Sequence, residues 1–398
     1  MSLYLTAVAT QVIAMISGLK DRRKEDAKHL QYALETLANP AIDLAELKQK
    51  IKAAKTTWLV AEIVAGFNQH YPPPPSPPDF TVIAADGSHI DVDRHQSTRC
   101  YLINIGLVAI TYGSHPDAAL SSAPQLYSDD KDLVITPSGG GREQPIEGTI
   151  LGIKRSVEEC KSLATLAASL PPQSSTLAML DGTLILWGLE AYPDFVTDTL
   201  LINGMLKCLD SLKKLNKDRR LALASYISFP RSTDVLNVLR VAVCPNDIPD
   251  CDKQCPPEKE RDCAGLNGVL DRDIFLNLLE DGQRSALFIS PSKIVKDYYG
   301  EQCVYFFYLR VGDEIARIEI PQWVAENQDL LNLTHSLIFD QCKRGNGYPV
   351  VLSEAHEQAV VTGADRENFR ELVESTLTEE HLSSAASGKS LSKRTRWL

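Results

Sequence analysis

Val82-Ile-Ala-Ala-Asp86-Gly-Ser88 and Ala178-Met-Leu-Asp181-Gly-Thr183 are two apolar runs that each end on an aspartate, a glycine and a small hydroxyl residue. Phe80 to Ala85 and Leu177 to Leu180 read as short buried strands, so each aspartate is expected directly after a strand. In sheets built with crossover helices, residues at the carboxyl ends of strands face the functional crevice. If the two strands are neighbours, both carboxylates project into one place. They repel there unless a cation lies between them, and hard oxygen ligands suit Mg²⁺ or Mn²⁺. The competing reading is a pair of ordinary turns, since Asp-Gly is a common turn dipeptide.

Between the strands, Thr149 to Leu170 has helical periodicity and is closed by Pro171-Pro172. Ile150, Ile153, Val157, Cys160, Ala164 and Ala167 form its apolar face. At about 100° per residue, Glu158 falls on the margin of that face and Glu159 nearly opposite it. Glu158 is therefore the expected third carboxylate. Glu159, four residues after Arg155, reads as a solvated surface partner, and Glu147 in the preceding loop is a rival. Further on, Tyr348-Pro-Val-Val-Leu-Ser-Glu-Ala-His356 reads as an apolar run followed by a helix after Ser353. An imidazole placed there could ligate a metal or move a proton for a leaving group. Asp365 reads as the N-cap of a last helix over Arg366 to Thr376.

Working outward, strands and helices alternate from Phe80 onward. Cys100 to Tyr112, Asp132 to Thr136, Leu221 to Ile227, Ala286 to Ile289, Val304 to Val311 and Ile315 to Ile320 read as strands; the last two form a hairpin. Helices are expected over roughly Phe195 to Leu215 and Asp234 to Val243. That alternation argues for an α/β fold with a mixed sheet. Residues 1–70 read as an N-terminal helical region, with Leu47, Ile51, Trp58, Ala61 and Ile63 taken as one helix carrying a phase slip. The proline run of 71–79 is a stiff spacer. The main domain is expected over 80–382 and a flexible basic tail over 383–398.

The chain has 398 residues and a formal charge of −11. A protein that coats nucleic acid by bulk electrostatics would be basic, so that class is excluded. A nuclease is not, because metal-holding carboxylates add negative charge and a groove needs only local Lys and Arg. No stretch reads as a membrane span or a signal peptide. Nine cysteines, an odd number and mostly scattered, point to free thiols in a reducing cytoplasmic setting. Four of them, Cys244, Cys251, Cys255 and Cys263, fall in one polar insertion (244–263) and could hold a structural Zn²⁺ or an iron–sulfur cluster. Their spacing is not that of a zinc ribbon. Gly139-Gly-Gly-Arg142 lacks the Gly-Lys-Ser/Thr ending of a phosphate-binding loop.

Asp86-Gly-Ser, then Leu180-Asp181-Gly-Thr, then Gly347-Tyr-Pro-Val-Val-Leu-Ser-Glu-Ala-His356-Glu-Gln-Ala, in that order, resemble the NurA nucleases. The resemblance implies an RNase H-like fold and a Mn²⁺-dependent (or Mg²⁺-dependent) deoxyribonuclease. It further implies 5′–3′ exonuclease and single-strand endonuclease activity in double-strand-break end resection. A homodimer working with a HerA-type hexameric ATPase on DNA is implied as well. It places metal ligands at Asp86, Glu158 and Asp181 and a catalytic imidazole at His356. Ser88, and Arg231 after the strand Leu221 to Ile227, would contact phosphate. Two alternatives stay open: a non-catalytic DNA-end adaptor of the same fold, and a metal-dependent phosphatase of small esters.

Overall fold

The computed structural model describes residues 4–92, 99–172, 174–256 and 261–381. The basic tail of 383–398 lies outside the described residues. In chain order the principal elements are α1 (Leu5–Leu37), α2 (Leu44–Ala53), β1 (Phe80–Ile90), β2 (Tyr101–Tyr112) and β3 (Asp117–Tyr127). Next come α3 (Thr149–Ser169), β4 (Ser175–Asp181), α4 (Leu206–Leu215), β5 (Leu221–Ile227), α5 (Asp234–Val243) and α6 (Asp271–Leu278). The chain then adds β6 (Val304–Val311), β7 (Glu314–Pro321), α7 (Gln328–Arg344), α8 (Val350–Ala359) and α9 (Gly363–Glu379).

These elements sort into two compact units that do not follow chain order. One comprises residues 1–73, 227–293 and 305–318; the other comprises 74–226, 294–304 and 319–398. The second unit is built on five strands in the order β3-β2-β1-β4-β5. β2 runs antiparallel to β1 and β3, whereas β4 and β5 run parallel to β1. This is the mixed, RNase H-like arrangement that the sequence leads one to expect. β1 is the central strand, and alternation decides what each of its faces carries. Ile83 and Ala85 point into a core shared with Ile103, Ile105, Ile150, Leu163, Leu180 and Leu223. Val82 and Ala84, equally buried, take the other face.

The first unit gathers Ala33, Leu37, Leu47, Val235, Leu239, Phe275, Phe288, Phe306 and Tyr308 around its own core. Phe275 stacks on Tyr308 at 4.5 Å between ring centroids. Inside that core Arg317 donates to Asp234 across 2.7 Å and lies over the Phe306 ring. Asp271 accepts from the Val235 and Leu236 amides and the Tyr308 hydroxyl, stitching α6 to the start of α5.

Several local expectations are corrected. α2 stops at Ala53, whose successor Ala54 is already extended, so Trp58 lies in irregular chain and Ile63 in a two-residue strand. β-branched Thr56 and Thr57 lie just past that stop. β3 escaped notice because ten of its eleven residues are exposed, leaving no apolar alternation to read. The run Val350–Leu352 is the first turn of α8, with Pro349 at its N-cap. Proline suits that edge because it has no amide proton to satisfy. α9 is capped by Thr362, and Asp365 closes a reciprocal capping box from the third position.

Candidate active site

Asp86 does not sit at a strand tip. It lies within β1, which continues to Ile90, and it is level with the last residue of β4. Ala85 pairs with Leu180 in the parallel ladder, so Asp86 and Asp181 are the next register pair on adjacent strands. Asp86 shares its face with Val82 and Ala84, and Asp181 shares its face with Leu177 and Met179. The two aspartates, 95 positions apart in the sequence, therefore project side by side.

α8 brings His356 to the same face, where its Nδ1 lies 2.8 Å from Asp86 Oδ2. With Asp86 ionised, Nδ1–H donates and Nε2 is left directed outward on a side chain 63% exposed. The other Asp86 oxygen accepts from the Gly87 amide. α8 is held down by Ser88, whose hydroxyl donates to the Ala359 carbonyl, and by Asn104, whose amide donates to Gln358 and Ala359. Gly106 on β2 allows the closest approach: a Cβ there would strike the Ala355 carbonyl and the Ala359 amide. Ser88 thus serves as a tether in this structure, with its hydroxyl proton already committed to the helix end.

The two helix glutamates lie otherwise than their helical phase suggests. Glu158 pairs with Lys154 at 2.9 Å and Lys161 at 3.4 Å and lines a separate cavity. Glu159, read as a solvated bystander, is buried. The physical reason is Gly87. It shares the α3-facing side of β1 with Ile83 and Ala85, and its missing side chain leaves the space that Glu159 fills. A Cβ at Gly87 would lie 2.6 Å from Glu159 Oε1. Burial therefore extends around α3 beyond its apolar stripe, and helical phase alone misplaces the carboxylate.

Burial pushes Glu159 up to about 8, Arg155 opposes that shift, and the nearby Asp86 and Asp181 charges add to it. Arg155 Nε stands 3.0 Å from Glu159 Oε1 as an ion pair, and that oxygen accepts no hydrogen bond among the described residues. Burial also raises Asp181, against a hydrogen bond from the Tyr348 hydroxyl, while Asp86 raises it further. Tyr348 itself is raised by burial and by Asp181. It is set by the turn between α7 and α8, where Asn346 and Gly347 take positive φ, and it packs edge-on against Tyr226. Sequence reasoning passed over Tyr348 and Arg155. Tyr348 lay inside a quoted motif, but nothing in its spacing showed that its hydroxyl reaches Asp181.

Thr183, after Asp181, donates to the buried carboxylate of Glu319, which also accepts from the Leu184 amide. Arg231 is exposed and belongs to the other unit. Among the described residues no group of three His, Cys, Asp or Glu side chains is placed to hold a metal ion. Asp86 and Asp181, side by side on adjacent strands, nonetheless offer the hard oxygen donors that suit a divalent cation, and Glu159 is near enough to feel both charges and keeps one oxygen without a hydrogen bond. Cys244, Cys251, Cys255 and Cys263 are all free and half-buried. Cys251 feels the other three thiols, but its segment is tied instead to Lys55 through the backbone. No metal is assigned to them.

No helix among the described residues is long and apolar enough to cross a membrane. No curated protein matches the sequence. Among solved structures, Aquifex aeolicus Argonaute aligns at 11% identity and a TM-score of 0.25. The match covers 70% of this chain but only 28% of that one. A likeness that low carries no argument. The family described as "NurA domain" matches residues 80–361, a span that holds both aspartates, Glu159, Tyr348 and His356. By that match, the chain belongs to the NurA family.

Proposed function

We propose that the chain is a metal-dependent deoxyribonuclease whose chemistry is carried by Asp86, Glu159, Asp181, Tyr348 and His356. NurA proteins are DNA-processing nucleases. The observation that carries the assignment is the pairing of Asp86 with Asp181 on adjacent strands beside an imidazole from α8, with Glu159 of α3 near enough to feel both charges through the gap left by Gly87. Asp86, Asp181 and Glu159 would hold Mn²⁺ or Mg²⁺. Such ions, when bound, activate water and stabilise the charge that develops on a phosphodiester.

The remaining work falls to the chain itself. Asp86 fixes the His356 ring through Nδ1, so that Nε2 is aimed at solvent and free to exchange a proton with an attacking or leaving oxygen. Tyr348 donates to Asp181 and holds its carboxylate in one rotamer. Arg155 balances Glu159 while no cation is present and would give way when one is bound. Glu158 is replaced by Glu159 in this reading, and Ser88 is given a structural rather than a phosphate-binding part.

Asp181→Asn keeps the shape of the side chain and removes its charge. It should lower Mn²⁺-dependent cleavage of a DNA oligomer at least about 100-fold, as loss of one charge-stabilising group commonly does, with an unchanged circular-dichroism spectrum. Unaltered cleavage would sink the assignment. Manganese as the working ion, 5′–3′ polarity, a homodimer, and end resection with a HerA-type ATPase are supported by family membership alone. They belong to the same proposal.

A further inference from the structure

One residue around α3 from Glu159, Glu158 lines a cavity of about 680 Å³. Four lysines surround it: Lys131, Lys154, Lys161 and Lys207. On a chain of net charge −11, that gathering reverses the local sign. The cations are placed at graded depth. Lys154 is 20% exposed, fixed at 2.9 Å by Glu158 and lying over the Tyr127 ring. Lys161 pairs with the second Glu158 oxygen but is 66% exposed. Lys131 is 78% exposed and pairs only across the surface with Asp129. Lys207 is exposed and makes no ion pair among the described residues. Part of the wall is a π-helical stretch, Asp198–Met205; Asn203 and Ser211 also line it, with the Asn203 amide donating to the Asp198 carbonyl and the Ser211 hydroxyl to the Lys207 carbonyl. Such widened turns recur at functional sites.

Glu158 is shared by Lys154 and Lys161 and Asp132 also lines the hollow, so four lysines at different depths outnumber two acids, which suits a chain of separated anionic oxygens better than a single ion. The volume lies within the ~300–1,000 Å³ that accepts a small-molecule-sized group. Glu158 and Glu159 are consecutive on one helix, so the hollow lies within about one helix diameter, roughly 10 Å, of the Glu159 carboxylate.

We propose that this lysine-lined hollow holds the phosphodiester backbone of single-stranded DNA next to the nucleotide being cleaved, an inference that rests on the nuclease reading of the neighbouring site. The acidic centre repels a polyanion until cations arrive; the hollow supplies the attraction that it lacks.

The test is the double variant Lys161→Gln/Lys207→Gln, with binding of a 20-nucleotide single strand followed by fluorescence anisotropy in EDTA across a salt series. Loss of two phosphate contacts should weaken binding about tenfold and flatten the log–log salt slope by about 1.4, at ~0.7 per phosphate on single strands. With Mn²⁺ present, KM should rise by a similar factor while kcat holds within about twofold, since the contacts act on binding alone. Unchanged affinity and slope overturn the proposal, as does a wild-type protein that does not bind the oligomer. A variant that loses pyrophosphate but keeps the oligomer marks a small-anion pocket and also overturns it. If binding changes as expected but neither protein cleaves, the nuclease reading fails and the strand site stands.

Discussion

Glu158 and Glu159 are adjacent, chemically identical and differently employed. One is paired with two lysines; the other is buried behind a glycine and raised to about 8. Glu159→Gln should cut cleavage at least about 100-fold, whereas Glu158→Gln should leave kcat within a few-fold; parallel single-turnover assays decide between them. The same asymmetry has a pH signature in the metal-free protein. Because the folded-state value of Glu159 is raised from 4.5, its contribution to stability is full below pH 4.5 and is lost as pH rises through about 8. Wild-type melting temperature should therefore fall over that window, and Glu159→Gln should flatten part of the fall. An equal slope in both proteins would refute the burial argument.

At the level of elements, α8 matters most, since it alone presents His356. Its seat on β2 depends on the bare backbone of Gly106. Gly106→Ala should cost about 1–3 kcal/mol through overpacking. It should also lower kcat by up to about 100-fold, because small misplacements of reacting groups are that costly. Chemical denaturation and steady-state kinetics on one preparation test both halves. The sequence revealed the strands that carry the aspartates and the helix between them, because each is a bounded apolar run. It did not reveal β3, whose residues are exposed, nor that β1 continues past Asp86 through a glycine and a histidine. A helix expected after Ser353 starts four residues late, since Val350-Val-Leu352 is as good a strand as a helical turn until Pro349 is seen to cap it. The reach of Glu159 and Tyr348 is a property of packing between elements, and no one-dimensional period encodes it.

For the molecule as a whole, binding of a divalent cation should be visible as stability. A ligand at a hundred times its dissociation constant adds about 2.7 kcal/mol to a native state that alone binds it. Mn²⁺ should thus raise the melting temperature of wild type and fail to do so for Asp181→Asn. The first unit has its own weak point. Asp234→Ala would take a carboxylate from Arg317 inside an aromatic core, at a cost of about 3–5 kcal/mol for breaking one side of a buried ion pair. A denaturant midpoint that stays put would show that the pair contributes little.

The proline run after His70 looks like a place to cut, yet the chain on its near side is not self-sufficient. Ala33, Leu37 and Leu47 are packed with residues contributed some two hundred positions later. Deleting everything before the prolines would therefore not liberate a tidy nuclease; it would strip the lid from Val235, Phe275 and their neighbours and present a greasy, sticky surface. Shortened versions of this protein should be expected to precipitate, and any attempt to trim it for crystallisation or engineering has to respect a boundary that runs through space rather than along the chain.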